Sequence, residues 1–319
     1  MLQKLAASLI TVTIASAFFF ACSSDSSSSG PAEEPPASSS DKIATNSSSS
    51  LRLSSANLSS SSIDVSVSAE TSSSDKATEP AEPAEVYLWH DEFDSIDTAT
   101  WTFETGASGW GNNEWQYYTG RSENAYVQDG ILHIRANKED YEGAKYTSAR
   151  MITKGKYSFT YGTVEARIAL PVGKGIWPAF WMLGENIDAV SWPACGEIDI
   201  IEAVNSESIV YGTNHWQTEG NQADYGNNTN DFHGAKKELD ITQFHTYKMV
   251  WNSEVIAMYV DDFKYHEISI KESAGGTDAF HKPQFFILNV AVAGNWPGFE
   301  VDDTQFPNEM LVDYIRVTR

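Results

Sequence analysis

From residue 86 onward, apolar positions come in short runs, some strictly alternating with polar ones and some continuous. Gly, Asn, Asp and Pro separate them. Alternation marks a strand with one face buried, and a short continuous run marks a strand covered on both faces. On this basis residues 130–136, 161–170, 196–204, 247–252, 255–260, 265–270, 283–293 and 311–318 are expected to be strands. Residues 255–260 pass through Asp261-Asp262 towards the next run, which is a hairpin signal. No stretch sustains a 3.6-residue period, and no internal repeat is evident. The pattern predicts an all-β fold, a β-jelly-roll sandwich of two antiparallel sheets.

One run breaks the rule that strands keep charge off a buried face. Glu197-Ile198-Asp199-Ile200-Ile201-Glu202 interleaves three acids with three isoleucines. Desolvating a carboxylate costs on the order of several kcal/mol, so three in one strand call for a use. Alternation puts Glu197 and Asp199 on one face with Ile198 and Ile200 behind them. Glu202 lies five positions from Glu197 and would point the other way in a regular strand. A β-bulge around Ile200-Ile201 returns it to the side of the other two. Two carboxylates on one face suit glycosidic bond cleavage: retaining enzymes hold them about 5–5.5 Å apart and inverting ones about 6.5–9.5 Å. Two Glu side chains on one short strand can lean together, which favours the retaining spacing. Clustered acids cannot all ionise easily, so one is expected to keep its proton and serve as general acid. The plainer alternative is a strand end whose acids face solvent.

Composition divides the chain of 319 residues. Residues 1–22 have a short basic start, an apolar stretch and Ala21-Cys22, the layout of a secretory signal. The Ala21-Cys22 junction resembles a bacterial lipoprotein processing site, in which Cys22 becomes lipidated; Phe19 and Phe20 depart from the usual pattern, and ordinary signal cleavage is the alternative. Residues 23–85 are mostly Ser with Ala, Pro, Glu and Asp, contain no aromatic residue, and read as a disordered linker. All ten Trp fall between Trp89 and Trp296, within a single domain spanning 86–319. The whole chain carries a formal charge of −23. Setting aside ten acids and three bases in the linker, and Lys4, leaves 34 acids and 17 bases, net −17 for the domain. Such a surface repels nucleic acid and sulfated polysaccharide and accepts a neutral glycan. With Cys22 lipidated, Cys195 is a lone thiol without a His/Asn partnership, a packed residue and not a nucleophile. No clustered Cys/His metal motif or phosphate loop is present.

Aromatic and amide residues gather between the strand runs. Residues 110–118 include Trp110, Asn112, Asn113, Glu114 and Trp115; residues 177–181 include Trp177 and Trp181; Trp192, Trp216 and Trp296 follow. Sugar rings stack on indoles, and their hydroxyls suit amides and Arg. Each Trp could instead fill the sandwich core. Trp177 and Trp181 share a face, which favours a cleft. Arg150 could orient a carboxylate or hydroxyl, or simply lie on the surface. His215, on the strand after the three acids, could bond an acid or a sugar, or be structural.

Residues 192–202 (WPACGEIDIIE) resemble the active-site strand of glycoside hydrolase family 16, specifically its laminarinase-like endo-1,3-β-glucanases. The similarity extends over 86–319 through residues 91–94, 109–114, 146–150, 175–183, 294–298 and 310–314. The resemblance implies a jelly roll with a concave substrate cleft and a retaining mechanism, with Glu197 as nucleophile, Asp199 assisting and Glu202 as acid/base. The expected substrate-binding residues are Asn113, Arg150, Trp177, Trp181, Trp192, His215 and Trp296. The six-residue bulged form resembles the β-1,3-glucanases of the family. The resemblance also implies a structural calcium at Glu92, Gly130 and Asp313, and no cofactor for catalysis. The expected partner is a β-glucan, laminarin-like or mixed-linkage, with no nucleic acid. The expected setting is an exported monomer at a bacterial cell surface or outer membrane, attached through lipid on Cys22, or otherwise secreted. Other polysaccharides, transglycosylation and non-catalytic glucan binding are the alternatives.

Overall fold

The computed structural model describes residues 86–319. The signal and linker assigned to 1–85, with Cys22, lie outside the described residues. The first eight strands are β1 (Trp89–Asp91), β2 (Thr102–Glu104), β3 (Gln116–Tyr118), β4 (Ala125–Gln128), β5 (Ile131–Tyr141), β6 (Ala144–Ser148), β7 (Arg150–Ile152) and β8 (Gly162–Ala169). There follow β9 (Ile176–Gly184), β10 (Glu197–Glu202), β11 (Tyr211–Thr218), β12 (Asn221–Asn228), β13 (His245–Trp251), β14 (Val255–Val260), β15 (Phe263–Ser269), β16 (Gln284–Val292) and β17 (Asn308–Thr318). A seven-stranded sheet runs β12-β11-β10-β9-β16-β7-β2, and a ten-stranded sheet runs β15-β14-β13-β8-β17-β5-β6-β3 with β1 and β4 attached. Pairing is antiparallel except between β3 and β6. The architecture is the jelly-roll sandwich. Among the described residues no helix is long and apolar enough to cross a membrane.

The core lies between the sheets. Phe180, Met182, Ile198, Ile200, Phe286 and Leu288 from the smaller sheet pack with Val164, Ala166, Ile168, Met249, Ile315 and Val317 from the larger. Strand β8 buries Val164, Ala166 and Ile168 on one face, as alternation requires. All nine residues of β16 are buried, the continuous pattern of a strand covered on both faces. In β17 the buried positions Met310 and Val312 are followed by Ile315 and Val317. The step of three is a register shift at Asp313, between Val312 and Tyr314. Strands β2, β3, β4, β6, β7 and β12 escaped the sequence reading; three of them have only three residues, and β12 (NQADYGNN) carries no apolar pattern.

Candidate active site

The bulge demanded by the acid spacing is present. Glu197 pairs with Leu183 of β9 and His215 of β11, and Asp199 pairs with Trp181 and Thr213. The register then slips, so that Ile201 faces Phe180 and Glu202 faces Ala179 and Tyr211. Ile198, Ile200 and Ile201 are all buried, while Glu197, Asp199 and Glu202 line one cleft. The entry to β10 is also constrained. Gly196 has φ +82°, and a Cβ there would stand 2.8 Å from the Cβ of Ala279.

The cleft, of about 640 Å³, crosses the outer face of the smaller sheet. Beside Glu197, the indole N–H of Trp192 donates to Oε2 at 2.8 Å, and His215 Nε2 stands 3.8 Å from Oε1. The same imidazole nitrogen is 3.5 Å from Asp199 Oδ2. One potential ligand atom from each of Glu197, Asp199 and His215 lies within 4.8 Å of the others. At the other end of β10, the indole N–H of Trp177 donates to Glu202 Oε1 at 2.9 Å. Trp296 stands edge-on to Trp177 and Tyr211, with centroids 5.5 and 5.0 Å away. Trp181 donates to Asn289 Oδ1 at 2.7 Å, and Asn289 donates on to the hydroxyl of Tyr118 at 3.1 Å. Arg150 bonds Glu104 at 2.6 Å, and its guanidinium lies 4.8 Å from the Trp181 ring centre and 5.1 Å from that of Trp110.

These surroundings separate the three acids. Burial raises all of them, because it penalises the charged form. For Glu197 the rise is opposed by His215, the Trp192 N–H, Arg150 and a hydrogen bond from Asp199. Asp199 is pushed well above the usual carboxylate range by burial and then by the charges of Glu197 and Glu202 on either side. Glu202 is raised to about 8 by burial and then by Glu197, with only the Trp177 N–H pulling back. Glu197 therefore has the most groups favouring its ionised form, while the surroundings of Asp199 and Glu202 favour the protonated form. That is the division of roles a nucleophile and a general acid require.

Of the residues expected to bind substrate, Arg150, Trp177, Trp181, Trp192, His215 and Trp296 line the cleft. Asn113 does not: it has φ +57° and turns its amide to Asn295 Oδ1 at 2.9 Å, so its neighbours Asn112 and Glu114 take the lining positions. Glu114 accepts from Gln116 Nε2 at 2.6 Å and from the Tyr118 hydroxyl at 3.2 Å, and burial raises its pKa. Asn289 was missed, although a lone amide inside the apolar run 285–292 was a signal for it. Trp89, Trp101, Trp216 and Trp251 serve the core. Cys195 is a free, buried thiol raised to about 11 by burial, in keeping with a packing role.

Glu92, Gly130 and Asp313 gather where β17 changes partners. Strand β5 pairs with β17 as far as Val312, and β1 takes over at Ile315, which leaves Asp313 beside the gap. Glu92 follows β1, and Gly130, at φ +76°, precedes β5. The Glu92 carboxylate is held by Arg316 at 2.9 and 2.8 Å, and that of Asp313 is ion-paired with Arg167.

The profile of glycosyl hydrolases family 16 matches residues 112–316. The chain belongs to that family, which is one of glycoside hydrolases. It is 42% identical in sequence to the solved laminarinase catalytic domain of Thermotoga maritima MSB8, with a TM-score of 0.64, covering 73% of this chain and 98% of that one. The laminarinase structure from Rhodothermus marinus gives 40% identity and a TM-score of 0.65, over 73% of this chain and 96% of the other. The clotting factor G alpha subunit of Tachypleus tridentatus is 43% identical over 239 residues, 74% of this chain but only 34% of that protein. This chain thus spans about a third of the clotting factor subunit and nearly all of the bacterial catalytic domains.

Proposed function

We propose that this protein is a retaining endo-1,3-β-glucanase. The observation that carries the proposal is the bulge of β10, which sets Glu197, Asp199 and Glu202 together in a tryptophan-lined cleft with Glu202 raised to about 8. Glu202 protonates the glycosidic oxygen as Glu197 attacks the anomeric carbon. Asp199, protonated between them, donates to Glu197 and keeps two like charges from facing each other. Departure of the aglycone leaves Glu202 ionised, and it then takes a proton from the water that releases the glycosyl group. A cleft open across the sheet suits attack within a chain. Support for β-1,3 linkages comes from the laminarinases at 40–42% identity. Mixed-linkage glucan is a second expected substrate.

Glu197→Gln and Glu202→Gln are each expected to lower hydrolysis of laminarin by about 10³-fold while the domain still folds. Proton NMR of the first product formed is expected to show the β-anomer. An α-anomer would overturn retention, and near wild-type turnover in either variant would overturn the roles. Rates on laminarin, mixed-linkage glucan, agarose and carrageenan decide the substrate.

Two further readings belong to the proposal. Export as a surface lipoprotein through Cys22, with 23–85 as a tether, is supported by the sequence of 1–85; labelling with radioactive palmitate and loss of label in Cys22→Ala test it. For calcium, the break in pairing at Asp313 fits an ion held by backbone oxygens of Glu92 and Gly130 and by Asp313, which would share its carboxylate with Arg167. Bound there, a calcium ion would tie β1, β5 and β17 together, and a chelator is expected to lower Tm without changing the pH profile.

A further inference from the structure

One wall of the cleft is built from two loops, 109–114 and 294–298. They are fastened to each other: Asn113 donates its amide to Asn295, and the Asn295 backbone N–H donates to the Asn112 carbonyl at 2.8 Å. The inner face of this wall presents Trp110, Glu114 and Trp296 to the cleft. The residue that leaves each loop turns away from it. These are Trp115 and Phe299, which are 42% and 48% exposed, and neither lines the cleft. Their ring centres are 5.9 Å apart, tilted by 32°.

Trp115 is backed by the fold, and Phe299 rests against it. Trp115 stacks on buried Tyr146 at 6.4 Å and 19°, and its backbone N–H donates to the Val292 carbonyl at 2.9 Å. Tyr146 in turn donates its hydroxyl to Asp303 at 2.6 Å. Beside Trp115 runs a second groove of about 540 Å³, where Lys138, Glu142 and Lys145 supply polar groups. Glu114 lines both this groove and the cleft, so one begins where the other ends.

We infer that Trp115 and Phe299 form an accessory carbohydrate platform on the outside of the cleft wall, which holds the part of a neutral polysaccharide chain that extends beyond the cleft. Two exposed rings, one of them fixed by the fold and the other leaning on it, stack on pyranose faces with little loss of side-chain freedom. Charged groups along the adjoining groove serve the hydroxyls. Two side chains cover far less than the roughly 800 Å² per partner of a stable protein interface. The inference rests on the proposed function for the identity of the chain in the cleft.

The test compares the full chain with Phe299→Ala and with Trp115→Ala/Phe299→Ala, on long-chain laminarin and on a β-1,3 tetrasaccharide, and by electrophoresis in gels containing laminarin. The expected result is a KM on laminarin raised about three- to tenfold, unchanged tetrasaccharide kinetics, and loss of retardation in the gel. Phe299→Ala, which removes an exposed ring, keeps the test valid if the double variant folds poorly. Unchanged KM on laminarin overturns the inference, as does an equal loss on both substrates. If the wild type hydrolyses neither substrate, the proposed function falls and the gel still decides the platform: retardation lost in the variants supports it, and identical mobilities overturn it.

Discussion

The hydroxyl of Tyr265 donates to the carbonyl of Ile200, at the point where β10 slips out of register. A bulge disrupts the ladder locally, and a buried backbone group left without a partner is costly. The hydroxyl comes from β15, in the opposite sheet, and crosses the core to meet that carbonyl. The bulge that aligns the three acids is thus tied to the far layer through one hydrogen bond. Tyr265→Phe is expected to lower stability by about 1–3 kcal/mol and Tm by about 2–10 °C. The bulge also sets the direction of Glu202, so kcat should fall with little change in KM. Thermal melts and Michaelis kinetics check both. A variant that loses stability but keeps full kcat would separate the bond from the placement of Glu202.

This bulge was legible because charge and alternation conflicted within six residues. The shift at Asp313 had the same signature, Met310 and Val312 against Ile315 and Val317, but only a single acid to draw attention to it. The long apolar strands β8, β13, β14, β16 and β17 were readable from pattern. β12 was not, because a polar strand on the edge of a sheet buries nothing. Asn113 and Glu114 show the other limit. Adjacent residues in a loop face opposite ways according to local φ, and one position decides which lines the cleft.

Glu202 gives the fold a pH-dependent liability. Its pKa is raised from an ordinary 4.5 to about 8. Between those values the native state holds a proton that the unfolded chain has released, so stability falls as pH rises through this window. Below it both states are protonated, and above it both are ionised. Glu202→Gln removes the effect and should be more stable than the wild type near pH 8, by on the order of 2–4 kcal/mol, with the two converging near pH 4. Denaturant titrations across pH measure this. With Glu202 in its proposed role of general acid, kcat/KM of the wild type should decline on the alkaline side around pH 8, as that proton is lost in the free enzyme.

Gly196 should resist substitution for reasons of backbone and space together. Its φ of +82° disfavours an L side chain, and a Cβ would meet that of Ala279 at 2.8 Å. Gly196→Ala is expected to cost about 1–3 kcal/mol. It should also displace Glu197, the next residue, so activity should drop by more than the change in folded fraction. Activity per folded molecule, with folding followed by near-UV circular dichroism, distinguishes the two effects.

Trp192 couples the entry loop to Glu197, the proposed nucleophile, through a bond of 2.8 Å to Oε2. Its ring also faces the cleft and packs at 6.2 Å against His215, so it could act by stacking on sugar or by donating to the carboxylate. Trp192→Phe keeps the ring and removes only the N–H. The donor favours ionised Glu197, so its loss should raise the pKa of that carboxyl further. The acid limb of kcat/KM is then expected to move to higher pH, with activity on the acidic side reduced about tenfold. The alkaline limb, expected from Glu202, which bonds Trp177 instead, should stay in place. A loss of equal size at every pH would assign Trp192 to sugar stacking alone and leave Glu197 to be tuned by His215, Arg150 and Asp199.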